Sequence, residues 1–287
     1  MMKAVSALSA VVGDAATGAI AAAAFSTGLA AVKLQLYNST VGAFRAFSEG
    51  PPGEPAADLP IMADCLYGVS IAQALGLGPL WDGPFASHLA EEGRANGSPY
   101  GLTVLTGRPG AMPFADIDFT TWGMAGPTFS MVALASGEVT DPDIALAPTR
   151  LFMDNARSRL RDQWNLAGLY SGASWEKYTA NDDGAPWCTN HYGMPLWHYV
   201  VHLGISGQVA NIPAGTLSFK SAYAPPYTVP LLLAGTTGAV TRVGGNITVS
   251  LAFGALALPA GGLVVDDAPC PHAVDLRKGG SVSWSAL

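Results

Sequence analysis

Two hydrophobic periods divide the chain. Up to about residue 205 apolar positions recur at helical spacing, whereas beyond it short stretches alternate residue by residue. In the first part, "PFASHLAEEGRAN" (84–96) and "APTRLFMDNARSRLRDQW" (147–164) carry charge on one face and Leu, Phe, Met or Trp on the other, the pattern of helices on an outer surface. Between them, "IMADCLYGVSIAQALGLG" (61–78), "TWGMAGPTFSMVALASG" (121–137) and "MPLWHYVVHLGISG" (194–207) are small, apolar and Gly-rich, as helices buried all round should be. "VSALSAVVG" (5–13) adds an inner helix and residues 14–37 its outer partner. The pattern predicts about seven helices, alternating outer and inner.

Such alternation belongs to stacked αα-hairpins whose inner helices line a ring. The expected fold class is therefore mainly α: a partial (α/α)6 toroid, about half a ring, over residues 1–205, followed by a small β module over residues 206–287. In that module "GGNITVSLAFG" (244–254) alternates strictly, placing Ile247, Val249, Leu251 and Phe253 on one face. "AGTLSFK", "YTVPLLLAG", "GGLVVDD" and "GSVSWSAL" supply further short strands bounded by Gly and Pro.

Composition narrows the function. Hydrophobic residues make up 49% of the 287 and charged ones 12%, with a formal net charge of −7 and no basic run, which excludes recognition of a phosphate backbone. The three cysteines have neither CxxC nor zinc spacing, so free thiols are expected. The N-terminus imitates a secretory signal, but Asp14 and several glycines interrupt it and helical spacing continues to Lys33, which favours a helix pair. No uninterrupted apolar run of about 20 residues is counted, so no transmembrane segment is expected. Asn38-Ser-Thr, Asn96-Gly-Ser and Asn246-Ile-Thr are formal glycosylation triplets of the kind that arises by chance.

His198 and His202 stand four apart on a helix with His191 nearby, yet no HExxH and no carboxylate on that helix accompany them, so neither a metal nor any other cofactor is expected. Nucleophile elbows and phosphate-binding glycine loops are also absent. What remains is a set of rings, amides and carboxylates at the entrances to inner helices: Asp64 in the first turn of one, Asp116, Asp118 and Trp122 at the entrance to another, and Trp187, Asn190, His191 and Tyr192 ahead of Pro195. Aromatic faces stack on the C–H faces of sugars while amide, carboxylate and imidazole groups bond the hydroxyls, without net charge. Asp64 equally suits a helix N-terminus, and Trp197, His198 and Tyr199 equally suit a core.

At "LPIMADCLYGVSIAQALGLG" the sequence resembles glycoside hydrolase family 116, the non-lysosomal glucosylceramidase and β-glucosidase family. Ile61, Met62, Ala63, Asp64, Gly68, Ala72, Gly76 and Leu77 match its motif, Cys65 replaces a Gln, and Leu36 and Asn38 match a preceding stretch. The resemblance implies an (α/α)6 toroid. It places the family's catalytic Glu and Asp ahead of Met1, and its sugar-holding Glu and Arg where Thr121 (or Thr120) and Met194 stand. The chain then reads as the C-terminal portion of a glycoside hydrolase that forms a sugar-pocket wall with Asp64, Asp118, Trp122, Trp187, Asn190, His191 and Tyr192, and lacks catalytic residues of its own. A non-catalytic carbohydrate-binding or scaffold protein is the alternative, and a lyase on the same scaffold a third reading. Expected partners are a neutral carbohydrate or glycoside, no nucleic acid, and a second copy through the apolar residues 4–32.

Overall fold

A computed structural model describes residues 1–46, 61–78, 80–81, 83, 85–105, 120–160, 168–170, 186–188 and 197–286. Among them seven helices form: α1 (Met2–Val12), α2 (Ala15–Leu36), α3 (Tyr67–Ala74), α4 (Phe85–Asn96), α5 (Ala125–Ser136), α6 (Pro142–Leu160) and α7 (His198–Ser206). Their ends follow from local chemistry. Gly13 stops α1 in the left-handed conformation, and the Asp14 carboxylate accepts the Thr17 N–H to start α2. Asp141 accepts the Asp143 N–H where Pro142 opens α6, a position that tolerates a missing donor. α4 is capped from across the fold, because Glu138 accepts the N–H groups of both Phe85 and Ala86.

The most buried helix, α5, with all nine residues from Ala125 to Ala133 buried, is approached by α3, α4, α6 and α7. At Gly126 a side chain would press on the Pro148 and Thr149 backbone, so glycine lets α5 and α6 meet closely, and the Ser130 and Thr149 hydroxyls bond there at 2.7 Å.

The expectation of a mainly-α half toroid is corrected. α3 approaches α7 as well as α5, so these helices close around one another rather than following in an arc. Strands also interrupt the helical part: β1 (Tyr37–Asn38) pairs with β2 (Ala43–Phe44), β3 (Gly97–Ser98) with β4 (Gly101–Leu102), and β5 (Thr120–Trp122) with β6 (Gly168–Tyr170), which pairs in turn with β7 (Pro186–Cys188). α1–α2 and α5–α6 remain helical pairs, but ladder strands stand between α2 and α3, between α4 and α5 and between α6 and α7, where a ring of stacked hairpins was expected.

Ten further strands follow: β8 (Val209–Asn211), β9 (Thr216–Phe219), β10 (Tyr227–Leu233), β11 (Thr236–Val243), β12 (Asn246–Phe253), β13 (Ala255–Leu258), β14 (Leu263–Val265), β15 (Ala268–Pro269), β16 (Val274–Arg277) and β17 (Ser281–Ser285). The antiparallel sheet β10-β11-β12-β17, the sheet β15-β14-β9-β8, in which β14 runs parallel to β9, and the β13-β16 ladder share one core. Val229, Leu231, Val240, Ile247 and Val249 from the first meet Leu217, Phe219, Leu263 and Val265 from the second. Pro230 fits because β10 is an edge strand. Phe253, expected inward, is 59% exposed: between Thr237 and Gly238 the β11–β12 register shifts, and the shift reverses which face the last residues of β12 present.

α2 is long and apolar enough, by length and composition alone, to cross a membrane.

Candidate functional site

The loops that enter α3 and α5 are drawn together by backbone pairing. The Ala63 N–H donates to the Val104 carbonyl at 2.9 Å, Met62 bridges Leu105, and Thr103 bridges Thr121 at the start of the β5-β6-β7 sheet. In that sheet Trp122 pairs with Gly168, and Gly168 with Cys188, so the backbone of Trp187 lies two strands from that of Trp122. Asn96 fastens the loops from behind: its Nδ2 donates to the carbonyls of Ile61 at 2.9 Å and Thr103 at 3.0 Å. Being 1% exposed, Asn96 offers no glycosylation acceptor in the folded chain.

Trp122 is half-buried against the core of Phe44, Leu66, Phe129 and Val132. Asp64 is half-buried in the turn before α3, where its carbonyl accepts the Tyr67 N–H at 2.8 Å. It is not a side-chain cap, since α3 begins at Tyr67 with no such bond. Burial raises the Asp64 carboxyl above the usual carboxylate range. Asp118, Asn190, His191 and Tyr192 lie outside the described residues, as do Asp116 and the side chain of Trp187.

Behind Asp64 stands a cluster absent from the sequence reading. Cys65 Sγ lies 3.4 Å from His88 Nε2, and the same nitrogen lies 3.3 Å from Glu92 Oε2. A sulfur, an imidazole and a carboxylate in that order invite comparison with a nucleophile, base and orienting acid. The hydrogen bonding excludes it. The Phe44 N–H donates to His88 Nδ1 at 3.0 Å, so neutral His88 carries its proton on Nε2 and has no lone pair to take one from the thiol. Burial, and then the charges of Glu92 and Asp64, push the Cys65 thiol well above its ordinary range. Cys65 has open surface, but that surface lines a cavity beneath α2, where the thiolate would be poorly solvated. Glu92 is itself fully buried, and burial raises its carboxyl despite the His88 contact. The cluster fastens α4 to the loop before α3 and to β2. A signal for it existed: Phe85, His88, Leu89, Glu92 and Asn96 recur at helical spacing on one buried stripe, although the segment reads as an outer helix with an exposed charged face.

Two apolar cavities flank these elements. One, of about 500 Å³, lies between α2 and the body, lined by Phe25, Leu29, Phe44, Cys65, Leu66 and Trp81. At its mouth Tyr37, Phe44 and Trp81 stack mutually with centroids 4.7–5.1 Å apart, and the Lys33 ammonium sits 4.6 Å over Trp81. The other, also about 500 Å³, opens between α6 and α7 beside Arg150, Met153, His198, Tyr199, His202 and Tyr223. Trp197 packs edge-on to Tyr67 and His198 lies against Phe152, whereas Tyr199 is 69% exposed and fills no core. Among the described residues, no three His, Cys, Asp or Glu side chains gather as a metal would require.

Short two- and three-stranded ladders among the helices precede sheets that share one core, which makes a mixed α and β fold. Among solved structures, a chain named sialidase resembles this one over 98% of the present chain with a TM-score of 0.60 and 13% identity. This chain spans about a quarter, 25%, of that neighbour's length, and the likeness is one of fold. Taking in strands as well as helices, it also stands against a mainly-α toroid. No protein-family model matches the chain, and no curated protein does.

The resemblance to glycoside hydrolase family 116 is therefore corrected to a likeness in fold to a chain named sialidase. Four of its eight motif matches have a packing explanation. Ile61, Ala63 and Ala72 are at most 3% exposed, and Gly76 takes a positive φ where a side chain would meet Val209 at 2.8 Å. Buried positions and a tight helix C-terminus select such residues whatever the family.

Proposed function

We propose that this chain supplies a neutral-sugar-binding wall to a longer glycosidase-like protein and does not itself cleave glycosides. The observation that carries the reading is the row of pairings from residue 62 through 105, 103, 121, 122 and 168 to 188, which sets Trp122 and the strand of Trp187 in one sheet beside the Asp64 loop. The expected polar partners are Asp64, Asp118, Asn190, His191 and Tyr192.

Hydrolysis with retention needs two carboxyl groups about 5–5.5 Å apart across the glycosidic bond. Glu92, the carboxylate coupled to Asp64, is sealed inside the fold at 1% exposure, so it cannot reach a substrate. That leaves Asp64 without a second carboxylate among the described residues of this face.

The test is calorimetric titration with methyl β-glucoside and a β-linked disaccharide. Trp122→Ala, Trp187→Ala and His191→Ala should each weaken binding about tenfold, the cost of one lost stacking or hydrogen-bonding partner. p-Nitrophenyl β-glucoside should show no turnover above background. Undiminished binding in all three variants, or turnover abolished by Asp118→Asn, would refute the proposal.

A further inference from the structure

α2 is apolar on every side, and only one side is used. Gly18, Ala21, Phe25 and Leu29 turn toward α1 and the body: Ala21 is 3% exposed, a side chain at Gly18 would touch Ser9, and Leu29 joins the helical core. On the opposite face Ala16, Ile20, Ala23, Thr27, Ala30 and Leu34 recur at alternating intervals of four and three. That is the repeat of a helix-pairing seam. All six are exposed, Ile20 at 73% and Leu34 at 86%, and no charged residue interrupts the helix between Asp14 and Lys33.

We propose that this seam joins two copies of the chain, their α2 helices antiparallel about a two-fold axis level with Phe25. In that register Leu34 faces Ala16 of the second copy, Ile20 faces Ala30, and Thr27 faces Ala23, so each larger side chain meets a smaller one. A two-fold interface must be self-complementary in this way, whereas a seam serving an unrelated partner carries no such constraint. The helix dipoles agree with the shape, because the antiparallel register sets the N-terminal end of one α2 beside the C-terminal end of the other. The area is sufficient. A 22-residue helix is about 33 Å long and about 10 Å across. With Leu8, Val11 and Val12 exposed at the hairpin tip, two such faces bury roughly 1,000 Å² together, the lower bound for a specific interface. A lipid bilayer would account for the apolar character of α2 but not for the matched order of large and small residues.

Sedimentation of the full chain should show a dimer at micromolar concentration. Ile20→Glu and Leu34→Glu, both on exposed positions, should each raise the dissociation constant on the order of a hundredfold. Ile144→Glu, equally exposed on α6, should leave it unchanged. After mild oxidation the double variant Ala23→Cys, Thr27→Cys should cross-link to a covalent dimer, and Ala16→Cys alone should not. A monomer at all concentrations, cross-linking by Ala16→Cys as readily as by the pair, assembly indifferent to Ile20→Glu, or flotation of monomers with phosphatidylcholine vesicles would each overturn the proposal. None of these outcomes bears on sugar binding, so the two proposals fail separately.

Discussion

Glu92 shows how burial redirects a familiar side chain. In sequence it belongs to the Glu91-Glu92 pair on a helix with an exposed charged face, yet it is sealed inside beside His88 and, among the described residues, Oε1 finds no hydrogen-bond partner. A carboxylate so placed resists ionisation, so its pKa in the fold lies above the ordinary 4.5. Between those two values the unfolded chain holds fewer protons than the folded one, so stability falls as pH rises through that window and levels off above it. Glu92→Gln keeps an oxygen for the His88 Nε2–H and removes the charge. It should melt higher than the parent at pH 7, by on the order of 1 kcal/mol, and the gap should close on acidification toward pH 4.5. A gap that widens on acidification would mean that Glu92 is ionised in an ion pair. Buried Glu92 and His88 were missed because residue type outweighed position: their spacing from Phe85 and Leu89 already put them on the inward stripe.

At the scale of elements, the existence of helices was readable, but short pairing was not, nor was which helices are inner: α1, expected inside, leaves Leu8, Val11 and Val12 exposed. Each segment with helical spacing contains a helix among the described residues, and the alternation of β12 puts Ile247, Val249 and Leu251 in the core. Two-residue ladders such as β1–β2 and β3–β4 are too short to carry any period, and they distinguish this fold from stacked hairpins. The row of backbone pairings from residue 62 through 105, 103, 121, 122 and 168 to 188 depends on those ladders, so the candidate residues were legible as types while the pairing of their loops was not. Glycine is decisive where two elements touch. Gly207 ends α7 with φ +57°, and a side chain there would overlap the Lys220 carbonyl, so Gly207→Ala must push the end of α7 away from the backbone just beyond β9. A loss of about 2–4 kcal/mol is expected in chemical denaturation. Gly28, inside α2 with open space around it, predicts the reverse: Gly28→Ala should gain about 0.5–1 kcal/mol. Equal effects at the two sites would show that helix propensity, not contact, governs both.

Across the whole molecule the join between the helices and the sandwich rests on a small polar device. The outward edge of β10 would stand open beyond α7, and open edges invite pairing with other chains. Gln208, 6% exposed, closes it: its Oε1 accepts the Leu232 N–H at 2.9 Å and its Nε2 donates to the Leu232 carbonyl, so one side chain imitates a neighbouring strand. Two backbone bonds next to it, from the Lys220 N–H to the Ser206 carbonyl and from the Ala222 N–H to the Ile205 carbonyl, carry the attachment onto α7 itself. Gln208→Ala removes both bonds to Leu232 and leaves its polar groups in a site too crowded to hydrate freely, a cost of about 1–3 kcal/mol. Gln208→Glu keeps the size but loses the donor, so above the carboxylate range it sets a charge against the Leu232 carbonyl and should cost at least as much. Hydrogen exchange reads the outcome. In both variants the amides of β10 should lose protection before those of β12, which lies inside the sheet, and the variants should aggregate more readily than the parent. Unchanged protection at Leu232 would show that neighbouring packing holds the edge closed without Gln208.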